Sequence, residues 1–117
     1  MDCIFCNRDN EIRRYAPYWF VRLDRFPVTQ SHREIIPLRH IGSLDQLTPE
    51  EWSALLPVIK AEVTGKFAPD YNLGINCGPA AGQTIPHLHI HIFPRQTGDV
   101  ENPRGGIRNF KKPLVEY

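Results

Sequence analysis

Asn76 to Arg95 reads NCGPAAGQTIPHLHIHIFPR. Its centre, His87-Leu88-His89-Ile90-His91-Ile92-Phe93, alternates histidine with an apolar residue. Period-2 alternation is the pattern of a half-buried β-strand, because successive side chains leave a strand on opposite faces. Leu88, Ile90 and Ile92 are therefore expected to face the core. The three imidazoles then stand in a row on the other face, about 6.6 Å apart at two residues per step. A solvated sheet face would more naturally carry Thr, Lys or Glu. Three of the chain's five histidines in one short stretch point to chemistry instead. An imidazole near neutrality is both a nucleophile and an acid or base. At a phosphoryl centre one ring can attack while another hydrogen-bonds charged oxygens or the leaving group. The small-residue loop just upstream, Cys77 to Gln83, can bring backbone N–H groups close to an anion, since glycine permits tight approach.

The remaining sequence supplies a scaffold for that strand. The 117 residues suit one domain over 1–117, with residues 1–10 as an N-terminal segment and 97–117 as a short flexible tail. Hydrophobic residues make up 41% and charged residues 23%, the balance of an ordinary globular protein. A net charge of +1 leaves no electrostatic footprint for nucleic acid or a membrane surface, so any bound anion must be held by local groups. Asp2, Arg8, Asp9 and Asn10 interrupt the start of the chain as a signal peptide, and no apolar run reaches membrane-spanning length; a cytoplasmic location is expected.

Ile12–Tyr15 and Tyr18–Leu23 read as short strands divided by Ala16-Pro17, and Ser31–Leu38 as a third with Pro37 at its end. Thr48-Pro49-Glu50-Glu51 is a helix start: Thr48 as N-cap, Pro49 at the first helical position, Glu51 completing a capping box. The helix is expected to run to about Phe67, burying Trp52, Leu55, Leu56, Ile59 and Val63, with a kink or break at Pro57. Tyr71–Asn76 is a fourth strand and the histidine stretch a fifth. Trp19, Phe20, Trp52 and Cys77 are expected in or beside the core. The order β-β-β-α-β-β predicts an α+β fold, a five-stranded and mainly antiparallel sheet with one main helix packed on it. Three cysteines cannot form a complete disulfide framework. Cys3-Ile4-Phe5-Cys6 has three readings: a redox pair, two unrelated thiols, or half of a zinc site.

With Asn76, Gly82-Gln83-Thr84 and His87-x-His89-x-His91-Ile92-Phe93-Pro94 in place, the chain resembles the histidine-triad (HIT) superfamily of nucleotide hydrolases and transferases. The resemblance runs from Cys3 to about Arg108. The GPAAGQT loop and the Gly98-Asp99 that follows Pro94-Arg95 are similar to the fragile-histidine-triad and diadenosine polyphosphate hydrolase branch. Asp24, where that branch has Asn, departs towards other members. The C-x-x-C together with His40 and His87 is similar to zinc-containing bacterial members.

The resemblance implies that His89 attacks the α-phosphorus of a nucleotide and carries a covalent nucleotidyl intermediate that water hydrolyses. It implies that His91 hydrogen-bonds the phosphate or leaving group, that Asn76, Gly82, Gln83 and Thr84 hold phosphate oxygens, that Asp24 binds ribose hydroxyls, and that His32 supports the pocket. The implied substrate is a diadenosine polyphosphate. A phosphoramidate hydrolase, a nucleotidyl transferase, and a zinc-stabilised nucleotide-binding module with little turnover are the alternatives. Cys3, Cys6, His40 and His87 become a ligand set for a structural zinc. A rival reading puts a catalytic metal on His87, His89 and His91. A homodimer is implied by the resemblance alone. Arg104 and Arg108, flanking Gly105-Gly106, with Lys111 and Lys112 beyond, are read as a flexible cationic flap over the site.

Overall fold

The computed structural model describes residues 3–64 and 70–111. Five strands, β1 (Glu11–Tyr15), β2 (Trp19–Leu23), β3 (Arg33–Pro37), β4 (Asp70–Ile75) and β5 (Ile90–Arg95), form one sheet in the order β1-β2-β3-β5-β4. Every neighbouring pair is antiparallel. One long helix, α1 (Pro49–Val63), connects β3 to β4 and packs on one face. The α+β expectation holds. The histidine-bearing strand lies second from the sheet edge, between β3 and β4. Among the described residues no helix is long and apolar enough to cross a membrane.

Each face of the sheet has its own core. Trp19, Val21, Ile35, Ile90 and Ile92 pack under Leu55 and Val58 of α1. On the other face Phe5, Phe20 and Ile36 pack together, with Cys3, Ile4, Leu38 and Ile85 against them. The N-terminal segment thus covers the side of the sheet opposite α1. Leu88, Ile90 and Ile92 are buried as the alternation requires.

The regular ladder of β5 begins at Ile90, not at His87. Pro37, the last residue of β3, has no N–H to extend it. The chain before Ile90 finds other partners: Leu88 N–H donates to the Ile41 carbonyl, and the His87 ring takes the Pro37 carbonyl.

Helix α1 starts as expected. Thr48 Oγ1 accepts from Glu51 N–H at 3.1 Å, and Glu51 Oε1 accepts from Thr48 N–H at 2.9 Å. Its buried stripe differs from the hydropathy reading. Glu51, Leu55, Val58 and Glu62 are buried, while Trp52 and Leu56 are 58% and 56% exposed. Two carboxylates take inward positions because each meets arginine: Arg39 reaches Glu51, and Arg13 and Arg33 reach Glu62. Pro57 does not split the helix, which is continuous over 15 residues. Pro57 and Ser53 are exposed, so water can satisfy the Ser53 carbonyl that loses its donor. The expected continuation to Phe67 lies outside the described residues. Cys77 is exposed rather than buried, on the loop that leaves β4.

Gly106–Phe110 forms a short 3₁₀ turn, and Gly106 lies near Asn72 of β4. Arg104 and Arg108 do not line the cleft beside His89 and His91. Lys112 lies outside the described residues.

Candidate active site

Register builds the site. Arg22 of β2 stands opposite Glu34 of β3, and Glu34 stands opposite His91 of β5. Cross-strand partners share a face, so these three side chains line up on the side opposite α1, with His89 of the same parity just before β5. A cleft of about 370 Å³ opens there, walled by Arg22, Asp24, Glu34, His89 and His91 on the sheet side and by Asn76, Gly82 and Thr84 of the loop.

Two histidine tautomers follow from the hydrogen bonds. His89 Nδ1 lies 2.9 Å from the His87 carbonyl. A carbonyl only accepts, so Nδ1 carries the hydrogen and Nε2 keeps its lone pair. Burial lowers the His89 pKa, against the backbone hydrogen bond that favours charge, so the neutral nucleophilic form is present at pH 7. The second chain runs through His32. Val28 N–H donates to His32 Nδ1 at 3.3 Å, which leaves the hydrogen on Nε2. His32 Nε2 lies 2.9 Å from His91 Nδ1 and donates to it. His91 must then carry its hydrogen on Nε2. Burial, followed by the neighbouring His89 and His32, pushes the His91 pKa down to about 4, against the pull of Asp24. His91 is a neutral donor with its Nδ1 already committed.

Asp24 divides its oxygens. Oδ1 accepts from Phe26 N–H at 2.8 Å in a local turn, while Oδ2 lies 3.5 Å from His32 Nε2 and 3.9 Å from His91 Nδ1. Gln83 is engaged within the loop: Oε1 accepts from Gly78 N–H, and Nε2 donates to the Gly42 and Ile85 carbonyls. The loop turns at Gly78 (φ 94°) and Gly82 (φ 96°), where a Cβ would be strained. The N–H groups of Ala81, Gly82 and Gln83 close on loop carbonyls. Asn76 and Thr84 remain exposed at the cleft.

Arg22 and Glu34 escaped the sequence reading. Both sit at positions that alternation marks as polar, and only the register shows that they line the cleft. Burial, then the charge of Asp24, raises the Glu34 pKa to about 7 against the opposing effect of Arg22.

A second cluster adjoins the first through His87. One ligand atom each from Cys3, Cys6, His40 and His87 lies within 4.8 Å of the others. Cys6 Sγ is 3.0 Å from His40 Nδ1 and 3.5 Å from His87 Nδ1; Cys3 Sγ is 3.5 Å from His87 Nδ1; the two Nδ1 atoms are 3.0 Å apart. His87 Nε2–H donates to the Pro37 carbonyl at 2.9 Å, so its Nδ1 presents a lone pair to the cluster. Such a donor set fits a four-coordinate metal. The set expected for a metal shared by His87 and His89 does not converge: His87 Nδ1 faces the cysteines, and His89 Nδ1 is spent on a carbonyl. Glu34, His89 and His91 do approach one another, as do Asp24, His32 and His91.

The sequence pattern of the HIT domain family matches residues 8–98. An uncharacterised HIT-like protein of Methanocaldococcus jannaschii is 35% identical over 116 residues, covering 92% of this chain and 90% of that protein. The asymmetrical bis(5'-nucleosyl)-tetraphosphatase of Schizosaccharomyces pombe is 39% identical over 77 residues, which is 62% of this chain and 42% of the relative. The chain spans about half or less of the first curated relatives it matches. Among solved structures, a zinc-bound histidine triad family protein from Mycobacterium smegmatis superimposes with a TM-score of 0.71 at 33% identity, covering 85% of this chain and 78% of that one. The chain belongs to the HIT domain family.

Proposed function

We propose that this protein, as a single domain, hydrolyses a nucleotide phosphoanhydride at the α-phosphate through a nucleotidyl-His89 intermediate. The observation that carries this reading is the fixed tautomer of His89, whose Nε2 lone pair faces the cleft while Nδ1–H is held by the His87 carbonyl. Nε2 donates its pair to phosphorus, and the bond from phosphorus to the leaving polyphosphate oxygen breaks. The ring becomes cationic, and Nδ1–H shares that charge with the carbonyl. His91 Nε2–H hydrogen-bonds a phosphate oxygen. Water then attacks phosphorus and releases its proton to solvent, the pair returns to Nε2, and a nucleoside monophosphate leaves. Asn76, Gly82 and Thr84 line the phosphate side of the cleft, and Gln83 serves by holding their loop. Asp24 Oδ2 is the oxygen left for ribose hydroxyls, with Oδ1 held in its turn.

Relatives named as a tetraphosphatase, an adenosine 5'-monophosphoramidase and an adenylylsulfatase support the reaction class. A diadenosine polyphosphate is the proposed substrate. Cys3, Cys6, His40 and His87 would hold a structural zinc: about 3.3–3.8 Å separates ligand atoms around tetrahedral zinc with sulfur and nitrogen donors, near the distances in the cluster. The metal would cross-link three segments and fix the strand that leads into His89. The exposed Trp52 and Leu56 on α1, and the edge position of β4, support a homodimer. The composition is in keeping with a cytoplasmic protein.

The test is to incubate wild type and His89→Ala with diadenosine tri- and tetraphosphate and an adenosine phosphoramidate, with quenching to trap nucleotidyl-protein. Wild type should turn over at least one substrate and yield the adduct, and the variant neither. Equal turnover by the variant would remove the mechanism.

A further inference from the structure

We propose that Arg22 and Glu34 are a base-reading pair that makes this cleft select guanine over adenine. The inference rests on the nucleotide reading of the same cleft and adds the base.

Both side chains are buried, Arg22 at 3% and Glu34 at 4% exposure, yet both line the cleft. Arg22 Nε comes within 3.1 Å of Glu34 Oε1, but the N–H is not aligned on the oxygen. Arg22 Nε and Nη1 consequently have no hydrogen-bond partner among the described residues. Ion pairs that serve the fold of this chain look different. Arg13 closes on Glu62 as a fork, at 2.7 and 3.1 Å, and Arg39 does the same on Glu51. A buried arginine with unspent donors is costly unless something that enters the site accepts from it. Glu34 Oε2 lies 4.0 Å from His89 Nε2, and the Glu34 carboxyl also meets Arg22 and Asp24. Arg22 donors are thus left open beside the Glu34 carboxyl, next to the reacting ring.

The position suits a base. The cleft that Arg22 and Glu34 share with Asn76, Gly82 and Thr84 is also lined by Ile4, Phe5, Ile85 and Phe26. The Arg22 guanidinium lies 5.2 Å from the centre of the Phe5 ring, and Phe26 is 81% exposed and free to stack on a planar heterocycle.

Donor and acceptor order then decides which base. Guanine offers O6 and N7 as acceptors and the N1–H and N2–H groups as two adjacent donors. Above the Glu34 pKa of about 7, the guanidinium can donate to the first pair while the carboxylate accepts from the second. Adenine offers one amino group beside a ring nitrogen, which leaves one Glu34 oxygen and one Arg22 donor unmet. Cytosine and uracil likewise bring a single donor position to the carboxylate. A polar site left half-filled discriminates far more strongly than an apolar pocket of the same shape.

Isothermal titration of wild-type protein with guanosine, inosine and adenosine monophosphates tests the pair without requiring turnover. GMP is expected to bind about tenfold to a hundredfold more tightly than AMP, with IMP between them because it lacks the 2-amino group. The double variant Arg22→Leu, Glu34→Leu should bring the GMP-to-AMP ratio to about one. If that variant does not fold, Glu34→Gln alone should cut the GMP-to-IMP ratio. Equal GMP and AMP affinities in wild type, or a ratio that survives the substitutions, would overturn the inference. The two readings fail separately. A GMP preference without hydrolysis of any nucleotide supports the base-reading pair and removes the hydrolase, whereas hydrolysis with no base preference does the reverse. Failure of all three nucleotides to bind removes both.

Discussion

His32 touches no reacting atom in the proposed mechanism, yet it decides which nitrogen of His91 carries a hydrogen. Its Nδ1 is held by Val28 N–H, so its Nε2–H must donate to His91 Nδ1. Replacing His32 with Ala removes that donor and lets His91 adopt the other tautomer, with no hydrogen facing the phosphate. The expected outcome is a fall in kcat of about tenfold to a hundredfold with a smaller change in KM, because the lost hydrogen bond belongs to the reacting phosphate. Steady-state kinetics on His32→Ala checks it, and a change confined to KM would remove the positioning role. A second expectation concerns the charge of His91. Burial and its histidine neighbours hold its pKa at about 4, below the usual 6.5. The unfolded chain therefore binds more protons than the folded one between those values. Stability from this residue is complete above about pH 6.5 and is lost as the pH falls towards 4. An imidazole NMR titration of the folded protein should show His91 still neutral at pH 5.5; a midpoint near 6.5 would contradict it.

At the scale of elements, α1 is fastened to the sheet by Glu62 as well as by Leu55 and Val58. Glu62 is 1% exposed and receives Arg13 Nε and Nη2, Arg33 Nη1 and the Tyr15 hydroxyl. Burial alone would raise its pKa, but these donors outweigh it and lower the pKa to about 2. A depressed carboxyl stabilises the fold above its unfolded value and ceases to do so as the pH falls through the folded one. Glu62→Gln should therefore cost on the order of 3 kcal/mol at pH 7, and the difference from wild type should shrink as the pH drops from about 4.5 towards 2. Denaturant melts of both proteins across that range give the answer, and a pH-independent difference would mean packing, not charge, is responsible. Glu62 also shows what the sequence conceals. The β-branched and aromatic run from Trp19 to Leu23 and the histidine alternation announce strands by themselves, and Thr48-Pro49-Glu50-Glu51 announces a helix. Which face of that helix goes inward does not follow from hydropathy, because Glu51 and Glu62 are buried against arginines from distant strands while Trp52 and Leu56 stay out. Arg22 and Glu34 were hidden for the same reason. Each reads as an outward polar residue until the β2–β3–β5 register places it beside His91. Pro37 was visible as a strand end, but its consequence, that the ladder stops short of His87 and frees that ring for the cysteines, needed the pairing partner.

Over the whole molecule, the Cys3–Cys6–His40–His87 cluster joins the N-terminal segment, the connection after β3 and the approach to β5. These segments are distant in sequence, and a small domain gains much from a cross-link that closes long loops. Bound zinc would make that link, since the folded chain presents two sulfurs and two ring nitrogens together and the unfolded chain does not. It would also hold His87, whose carbonyl fixes the tautomer of His89. The expected stoichiometry is one zinc per chain. Removing it, or replacing Cys3 and Cys6 with Ser, should lower the Tm by at least about 10 °C, the effect of losing about 2 to 3 kcal/mol in a domain of this size. Catalysis should respond differently. Where the apoprotein is still folded, below its lowered melting point, nucleotide hydrolysis should persist at a substantial fraction of the holoprotein rate, because in the proposed mechanism His89 attacks without a metal. Parallel calorimetry and rate measurements after chelation separate the two roles. Immediate loss of turnover on folded protein, restored by zinc, would shift the reaction to a metal at Glu34, His89 and His91 and would leave the four-ligand cluster without its purely structural assignment.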